Sequence, residues 1–584
     1  MNLDRRAFLR YAGCAGASMA LRSNAATRPN VIFLLTDDQG YGDLACHGNP
    51  AIKTPHLDAL HQRSLRFTDF HVSPTCAPTR ASLMTGRYSN ATGVWHTIMG
   101  RSLLHPQEVT MADCFKASGY RTGIFGKWHL GDNYPCRPQD RGFDEALVCG
   151  GGGVWQTPDY FGNDYTNDTY LHNGQPEKAT GYCTDVWFDK AMRFMEESGG
   201  QPFFCYLPTN APHMPMWAPD SYTKPYEGVN NLPDPGFYGM ITNIDDNVGR
   251  LVQFLRERGL EENTIFIFMT DNGTAAGAEV FNAGMRGAKG SAYEGGHRVP
   301  FFLYWPAGGI KGGRDIGALS AHIDVLPTLL DLCSLKKPQG PTLHGKSLVP
   351  LLHGRGETER MIVVDSQRQE HLVLWRQAAV MAGPWRLVDE CELYDLRRDP
   401  GQTHDVAADH ADIVARLTAE YGKWWELTSQ RADGYVRIVL GNKAAKTVKL
   451  SAHDWHGNGA EAVWNQQQIR QGPAANGFWT VDVARTGEYR LELRRWPRES
   501  DTAINASYRE LRPNREHTPG RSISVTRARV KLGLVDLTAA VGPEEKAAVF
   551  TARLAQGPAE LQTFFYGARG EERGAYYVYV ERSL

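Results

Sequence analysis

The chain has no apolar run long enough to span a bilayer as a helix, which argues against a transmembrane segment. It has no charge excess: 63 Lys and Arg stand against 65 Asp and Glu, a net charge of -2. Such a balance argues against generic nucleic-acid binding and leaves an anionic substrate open. Cysteine is sparse, ten in 584 residues, and none is spaced as Cys-x-x-Cys. That excludes a disulfide scaffold and a zinc ribbon. Apart from Cys14 and Cys76 the cysteines read as core thiols, with room for one or two bridges. The glycines at 150–153 lack the Lys-Ser/Thr of a phosphate-binding loop and are given no chemistry. What is present, 42% hydrophobic and 22% charged, describes a soluble globular protein. The length predicts two or three domains.

The first 26 residues stand apart. Asp4-Arg5-Arg6-Ala7-Phe8-Leu9-Arg10 looks like a twin-arginine export signal, followed by a weakly apolar stretch and small residues near Ala26. This predicts a periplasmic or secreted protein. Ala12-Gly13-Cys14 half-matches a lipoprotein site, but Tyr11 fits it poorly, so anchoring at Cys14 is the lesser alternative.

Val31-Ile32-Phe33-Leu34-Leu35 is apolar without alternation, as expected of a strand buried on both faces of a parallel sheet. It runs into Thr36-Asp37-Asp38, two acids where α/β sheets place their ligands. Adjacent carboxylates repel, and a cation between them relieves the repulsion. A solvated turn is the bland reading, but the pattern recurs: Ile265-Phe266-Ile267-Phe268-Met269 ends in Thr270-Asp271-Asn272. Two strands delivering oxygen ligands at one end predict a hard-cation site suited to calcium or magnesium, not zinc. Helices are expected from Thr54-Pro55, from a Thr110 cap, from a Thr184 cap with Trp187, Phe188, Ala191, Met192 and Met195 buried, and along the stripe Ile241, Ile244, Val248, Leu251, Leu255.

Three further strings sit after expected strands or at a helix start. Cys76-Ala77-Pro78-Thr79-Arg80 runs into Ala81-Ser82-Leu83-Met84, placing a thiol in the positive potential of a helix N-terminus. Arg121 to Phe125 leads to Gly126-Lys127-Trp128-His129-Leu130-Gly131, where Lys127 and His129 can share a pocket. Phe203 to Leu207 leads to Asn210-Ala211-Pro212-His213-Met214-Pro215. Later, Arg286-Gly287-Ala288-Lys289-Gly290 and Tyr293-Glu294-Gly295-Gly296-His297-Arg298 bring a lysine and a Glu294–Arg298 pair read as structural.

Together these strings resemble the formylglycine-dependent sulfatases, arylsulfatase-like members of the alkaline phosphatase superfamily, over about residues 30–427. The resemblance implies an α/β fold, a large mixed but mostly parallel sheet sandwiched by helices, with a small antiparallel subdomain. It implies that Cys76 is oxidised to formylglycine (3-oxoalanine) by a maturation enzyme. Asp37, Asp38, Asp271 and Asn272 match the family's calcium ligands, with the modified Cys76 adding an oxygen. Arg80, Lys127 and Lys289 match sulfate-neutralising cations. His213, helped by Lys289, is implied as the acid that protonates the leaving alcohol. His129 is implied as the base that re-forms the aldehyde and expels sulfate from a covalent intermediate. The alternatives are a phosphate or phosphonate ester hydrolase, or a non-catalytic binder of sulfated glycan. Export, the C-terminal stretch and Trp95, Trp155 and Trp217 tilt the substrate toward sulfated carbohydrate.

Past about Arg431 short alternating runs, such as Glu488 to Arg494 and Phe478 to Val483, are separated by Gly and Pro turns and predict a β-sandwich. Its Trp455, Trp464, Trp479 and Trp496 are read as core aromatics in preference to a carbohydrate platform. The expected organisation is a leader at 1–26, a catalytic α/β domain at 27–340, a small sheet-plus-helix subdomain at 341–430 and an all-β sandwich at 431–584.

Overall fold

A computed structural model describes residues 28–356, 360–457, 463–508 and 519–583, so the expected leader and Cys14 lie outside the described residues. Five strands form the parallel centre of a large sheet: β1 (Asn30–Thr36), β2 (Arg121–Lys127), β3 (Glu145–Cys149), β4 (Phe203–Pro208) and β5 (Thr264–Thr270). Their order is β5-β1-β4-β2-β3, and edge strands, all antiparallel in pairing except the outermost Asp315–Ile316, extend the sheet to ten strands. In register, Leu35 of β1 lies between Pro208 of β4 and Met269 of β5, so these three strands end together.

The unbroken apolar runs are explained by cover on both faces. Val31, Phe33 and Leu35 pack with Ala77, Ala81 and Met84 of α1 (Cys76–Thr85). Ile32 and Leu34 point the other way, as the two-residue period of a strand requires. They pack with Trp187 and Phe188 of α2 (Cys183–Glu197) and with Ile244, Val248 and Leu251 of α3 (Pro235–Glu257). The result is a three-layer α/β sandwich, as expected.

Some local expectations need correction. Thr110 does close a capping box with Asp113. Thr184, however, is not a cap: α2 starts one residue earlier, behind Tyr182, which makes no side-chain cap bond. Met192 is only partly buried on that helix. The nine described cysteines are all free, so the one or two expected bridges are absent among the described residues. No helix of the described residues is long and apolar enough to cross a membrane.

A four-stranded antiparallel sheet between Met361 and Asp395 follows, packed by the helix Ala411–Thr428. Beyond it, a six-stranded and a four-stranded sheet share one core. This is the expected β-sandwich. Trp455, Trp479 and Trp496 are buried in that core and Trp464 partly so, which favours the packing role given to them.

Candidate active site

The carboxyl ends of the central strands carry almost every residue singled out above. Asp37 and Asp38 follow β1, and Asp271 and Asn272 follow β5. They are buried and tied together: the Asp38 amide donates to Asp271 Oδ1 at 3.1 Å, and Asn272 Nδ2 donates to Asp38 Oδ1 at 3.0 Å. Asp38 holds a left-handed φ of 67°, at a cost of about 1–3 kcal/mol. Cys76 is the first residue of α1 and is buried. Ligand atoms of Asp37, Cys76 and Asp271 all lie within 4.8 Å of one another.

Three cations close on these acids. Lys127 Nζ donates to Asp37 Oδ2 at 2.6 Å, and Lys289 Nζ donates to Asp38 Oδ2 at 2.7 Å. Arg80 donates to Asp271 Oδ2 through Nη2 at 2.8 Å and Nε at 3.1 Å, and to the Lys127 carbonyl at 3.0 Å. Lys127 is delivered by a tight passage at Gly126: its φ is +133°, and a Cβ there would sit 2.0 Å from the Pro208 carbonyl oxygen. Only glycine fits that approach.

The two histidines face the cluster with different nitrogens. His213 Nδ1 lies 2.7 Å from the Met214 carbonyl, which can only accept, so Nδ1 carries the proton and Nε2 is left toward Asp38 Oδ2, 3.9 Å away. His129 Nε2 lies 2.8 Å from the Thr97 carbonyl, so its Nδ1 is a bare acceptor, buried and without a hydrogen-bond partner. His129 also holds a positive φ, 63°.

Burial works against every charge here, and the partners decide the outcome. Burial would raise Asp38, but Lys289, His213 and Lys127 outweigh it and hold the carboxyl well below its usual range. Asp271 goes the other way: burial and then the charge of Asp37 push it up to about 7, against Arg80 and Lys127. Burial would lower Lys289, yet Asp38 raises it overall. The Cys76 thiol is raised by burial, despite Lys127 and Lys289, so as a thiol it is a poor nucleophile. His129 is lowered well below its usual value by burial and then Lys127, and burial lowers His213 to about 3 against the pull of Asp38.

The donors fit a hard divalent cation. Asp37 Oδ1 and Asn272 Oδ1 are buried oxygens with no hydrogen-bond partner, beside two acids whose burial and then mutual repulsion raise Asp271. An oxygen-coordinated ion would satisfy both oxygens and remove that repulsion.

Sequence reasoning missed three participants. Glycines 150–153 are a wall of the site: a Cβ on Gly152 would lie 2.5 Å from His129 Cε1, and one on Gly153 would lie 3.9 Å from His213 Nδ1. Thr97, which sets the His129 tautomer through its carbonyl, carries no side-chain signal. The main partner of Glu294 is Arg386, whose Nε donates to it at 2.7 Å, whereas Arg298 stays at 3.7 Å. The expected Glu294–Arg298 ion pair is present; the closer partner, Arg386, lies too far along the chain for local spacing to reveal. Trp95 is buried, while Trp155 and Trp217 are partly buried and pack edge-to-face at 5.5 Å.

Comparison with known proteins matches the sulfatase family over residues 29–335, and the family of the C-terminal part of N-sulphoglucosamine sulphohydrolase over residues 288–424. Human N-acetylgalactosamine-6-sulfatase is 31% identical over 463 residues, covering 68% of this chain and 85% of that protein. An ulvan-active sulfatase of Formosa agariphila is 32% identical over 353 residues, covering 56% of this chain and 65% of that protein. Among solved structures, Ps i-CgsB in complex with k-i-k-neocarrahexaose aligns with a TM-score of 0.63 and 28% identity, over 69% of this chain and 94% of that one. A phosphonate monoester hydrolase of Agrobacterium radiobacter, 22% identical over 69% of this chain and 97% of that one with a TM-score of 0.51, shares the fold alone. With the family model spanning more than half of its length, this chain belongs to the sulfatases of the alkaline phosphatase superfamily, enzymes that hydrolyse sulfate esters.

Proposed function

We propose that the protein is an exported sulfatase of sulfated carbohydrates that works through a formylglycine made from Cys76. One observation carries this reading: a buried cysteine at a helix N-terminus, its thiol raised by burial, lies within 4.8 Å of the carboxylates of Asp37 and Asp271. Such a thiol is ill suited to attack as it stands and well placed to act once converted. The carbohydrate part rests on the substrates for which its relatives are named, N-acetylgalactosamine 6-sulfate and ulvan, and on the carrageenan fragment bound by a structural neighbour. Export rests on the twin-arginine-like leader. Residues 27–340 form the catalytic unit, 341–430 its small subdomain and 431–584 the appended sandwich.

Asp37, Asp38, Asp271 and Asn272 would hold calcium, with magnesium as the alternative, which would supply charge neutralisation for the sulfate, while a hydrated aldehyde formed at position 76 would supply the nucleophilic oxygen. Lys127, Lys289 and Arg80 hold the acids in place, and the two lysines offer their remaining N–H donors to the sulfate oxygens. His213 directs Nε2 to the leaving alcohol. Burial keeps it neutral in the protein alone; the negative charge of an arriving sulfate is what lets it hold the proton it donates. His129 keeps Nδ1 bare because Thr97 fixes the other nitrogen, so it is ready to take the hydroxyl proton when sulfate is expelled.

The deciding measurement is a mass spectrum of the tryptic peptide bearing Cys76 from protein made with a maturation enzyme. The expected peptide carries an aldehyde in place of the thiol, and fully active protein with an intact cysteine would sink the scheme. Turnover of aryl sulfate against aryl phosphate then separates a sulfatase from a phosphate or phosphonate ester hydrolase.

A further inference from the structure

The C-terminal sheets do more than pack beside the catalytic sheet. The loop Ala452–Asp454, between two sandwich strands, reaches the active-site wall, where the Met99 amide donates to the His453 carbonyl at 2.8 Å. A second junction bonds Thr157 to the backbone of Val463 and Trp464, and the Gly162 amide to Gln466. His453 is 2% exposed, and its ring centroid lies 6.1 Å from that of His129. Its Nδ1 lies 3.0 Å from Asp454 Oδ1. A carboxylate only accepts, so Nδ1 carries the proton and Nε2 is a bare acceptor. That Nε2 is buried and has no hydrogen-bond partner. Two buried acceptors on neighbouring rings, His129 Nδ1 and His453 Nε2, are therefore both left without a donor. A buried acceptor left unpaired is costly, so a ligand that brings a hydroxyl there gains from it.

We propose that His453, supplied by the sandwich and oriented by Asp454, is a substrate-contacting residue of the active site whose Nε2 accepts a hydrogen bond from a free hydroxyl of the sulfated sugar. In the scheme proposed above His129 Nδ1 serves residue 76, so the hydroxyl partner falls to His453. The sandwich thus selects a sugar with a donor next to its sulfate ester and discriminates against one in which that position is also esterified.

This rests on the carbohydrate reading above, and the test separates the two. Wild-type protein is assayed on ulvan, carrageenan, N-acetylgalactosamine 6-sulfate and 4-nitrophenyl sulfate, and the best sugar substrate is carried forward. His453→Ala is expected to lose about 10-fold to 100-fold in kcat/KM on that sugar, the scale for one lost hydrogen bond to a buried group. On 4-nitrophenyl sulfate, which has no ring hydroxyl, it should stay within about 3-fold of wild type. His453→Gln, which keeps an acceptor at similar reach, should recover part of the sugar activity and guards against a folding failure of the alanine variant. Equal losses on both substrates would mean that His453 only positions His129, and no loss on the sugar would remove it from the site; either overturns the proposal. Turnover of the aryl ester but of none of the sugars would instead remove the carbohydrate reading, and this inference with it.

Discussion

The two halves of the molecule solve opposite problems. In the parallel sheet the strand interiors are apolar on both faces, and polarity is concentrated where the strands stop, around Asp37, Lys127, His213 and Asp271. In the C-terminal sheets polarity runs along the strands. Glu488 to Arg494 alternates, and Glu492 gathers Arg490, Arg494 and Arg498 around one carboxylate. The first arrangement leaves buried oxygens without partners, and the second leaves a core of large rings around Trp455, Trp479 and Trp496. The comparison teaches where each half spends its burial: one on chemistry, the other on cohesion.

The sharpest way to break that contrast is Cys76→Ala. It should lower sulfate release on the order of 10⁴-fold or more while leaving the thermal unfolding midpoint nearly unchanged, because a small buried side chain is removed from a site, not from a packed core. Residual turnover near wild type would refute the role given to residue 76. His213→Ala sharpens the contrast within the catalytic half. Its loss should be about 10²-fold to 10⁴-fold on esters of poor leaving groups such as sugar alcohols, and smaller on 4-nitrophenyl sulfate, whose leaving group needs no proton. Similar losses on both would take away its role as acid. Trp479→Ala tests the other half. Emptying a buried ring in the sandwich core should cost about 3–5 kcal/mol, read as an earlier denaturant transition.

The smallest effect concerns Glu492. Burial alone would raise its carboxyl, but Arg498, Arg490 and Arg494 outweigh that and hold it at about 2, below its ordinary 4.5. A depressed acid stabilises the fold above its unfolded value, and that contribution disappears as pH falls from about 4.5 toward 2. Glu492→Gln should therefore be less stable than wild type at pH 7, with the gap closing in melts run at pH 3. A gap unchanged by pH would show that the arginine cluster is not what matters.

Much of this was legible because the chemistry follows the strands. Uninterrupted apolar runs announced buried strands, and the polar residues after them announced Asp37, Asp38, Asp271, Asn272, Lys127, His129 and His213, whereas Cys76, Arg80 and Lys289 were picked out by the family resemblance; all ten meet at one sheet end. What was not legible depends on groups that carry no local pattern. Gly152 matters for the side chain it lacks, Thr97 for its carbonyl, and His453 for a loop more than 300 residues from the ring it approaches. Arg386 reaches Glu294 across a turn of tertiary structure that no spacing rule encodes. Strand 535–540 is mostly exposed, so it gives no hydrophobic alternation to read.

The left-handed twist at Asp38 and His129 narrows what either position can become. Outside glycine, the residues that visit this twist with any frequency are asparagine, aspartate and histidine, whose short polar side chains bond locally. A glutamate at 38 would keep the charge and a β-branched residue at 129 would roughly keep the bulk, yet both would fight the backbone before touching substrate. Variation in this corner of the molecule is thus governed by handedness first and by reactivity second.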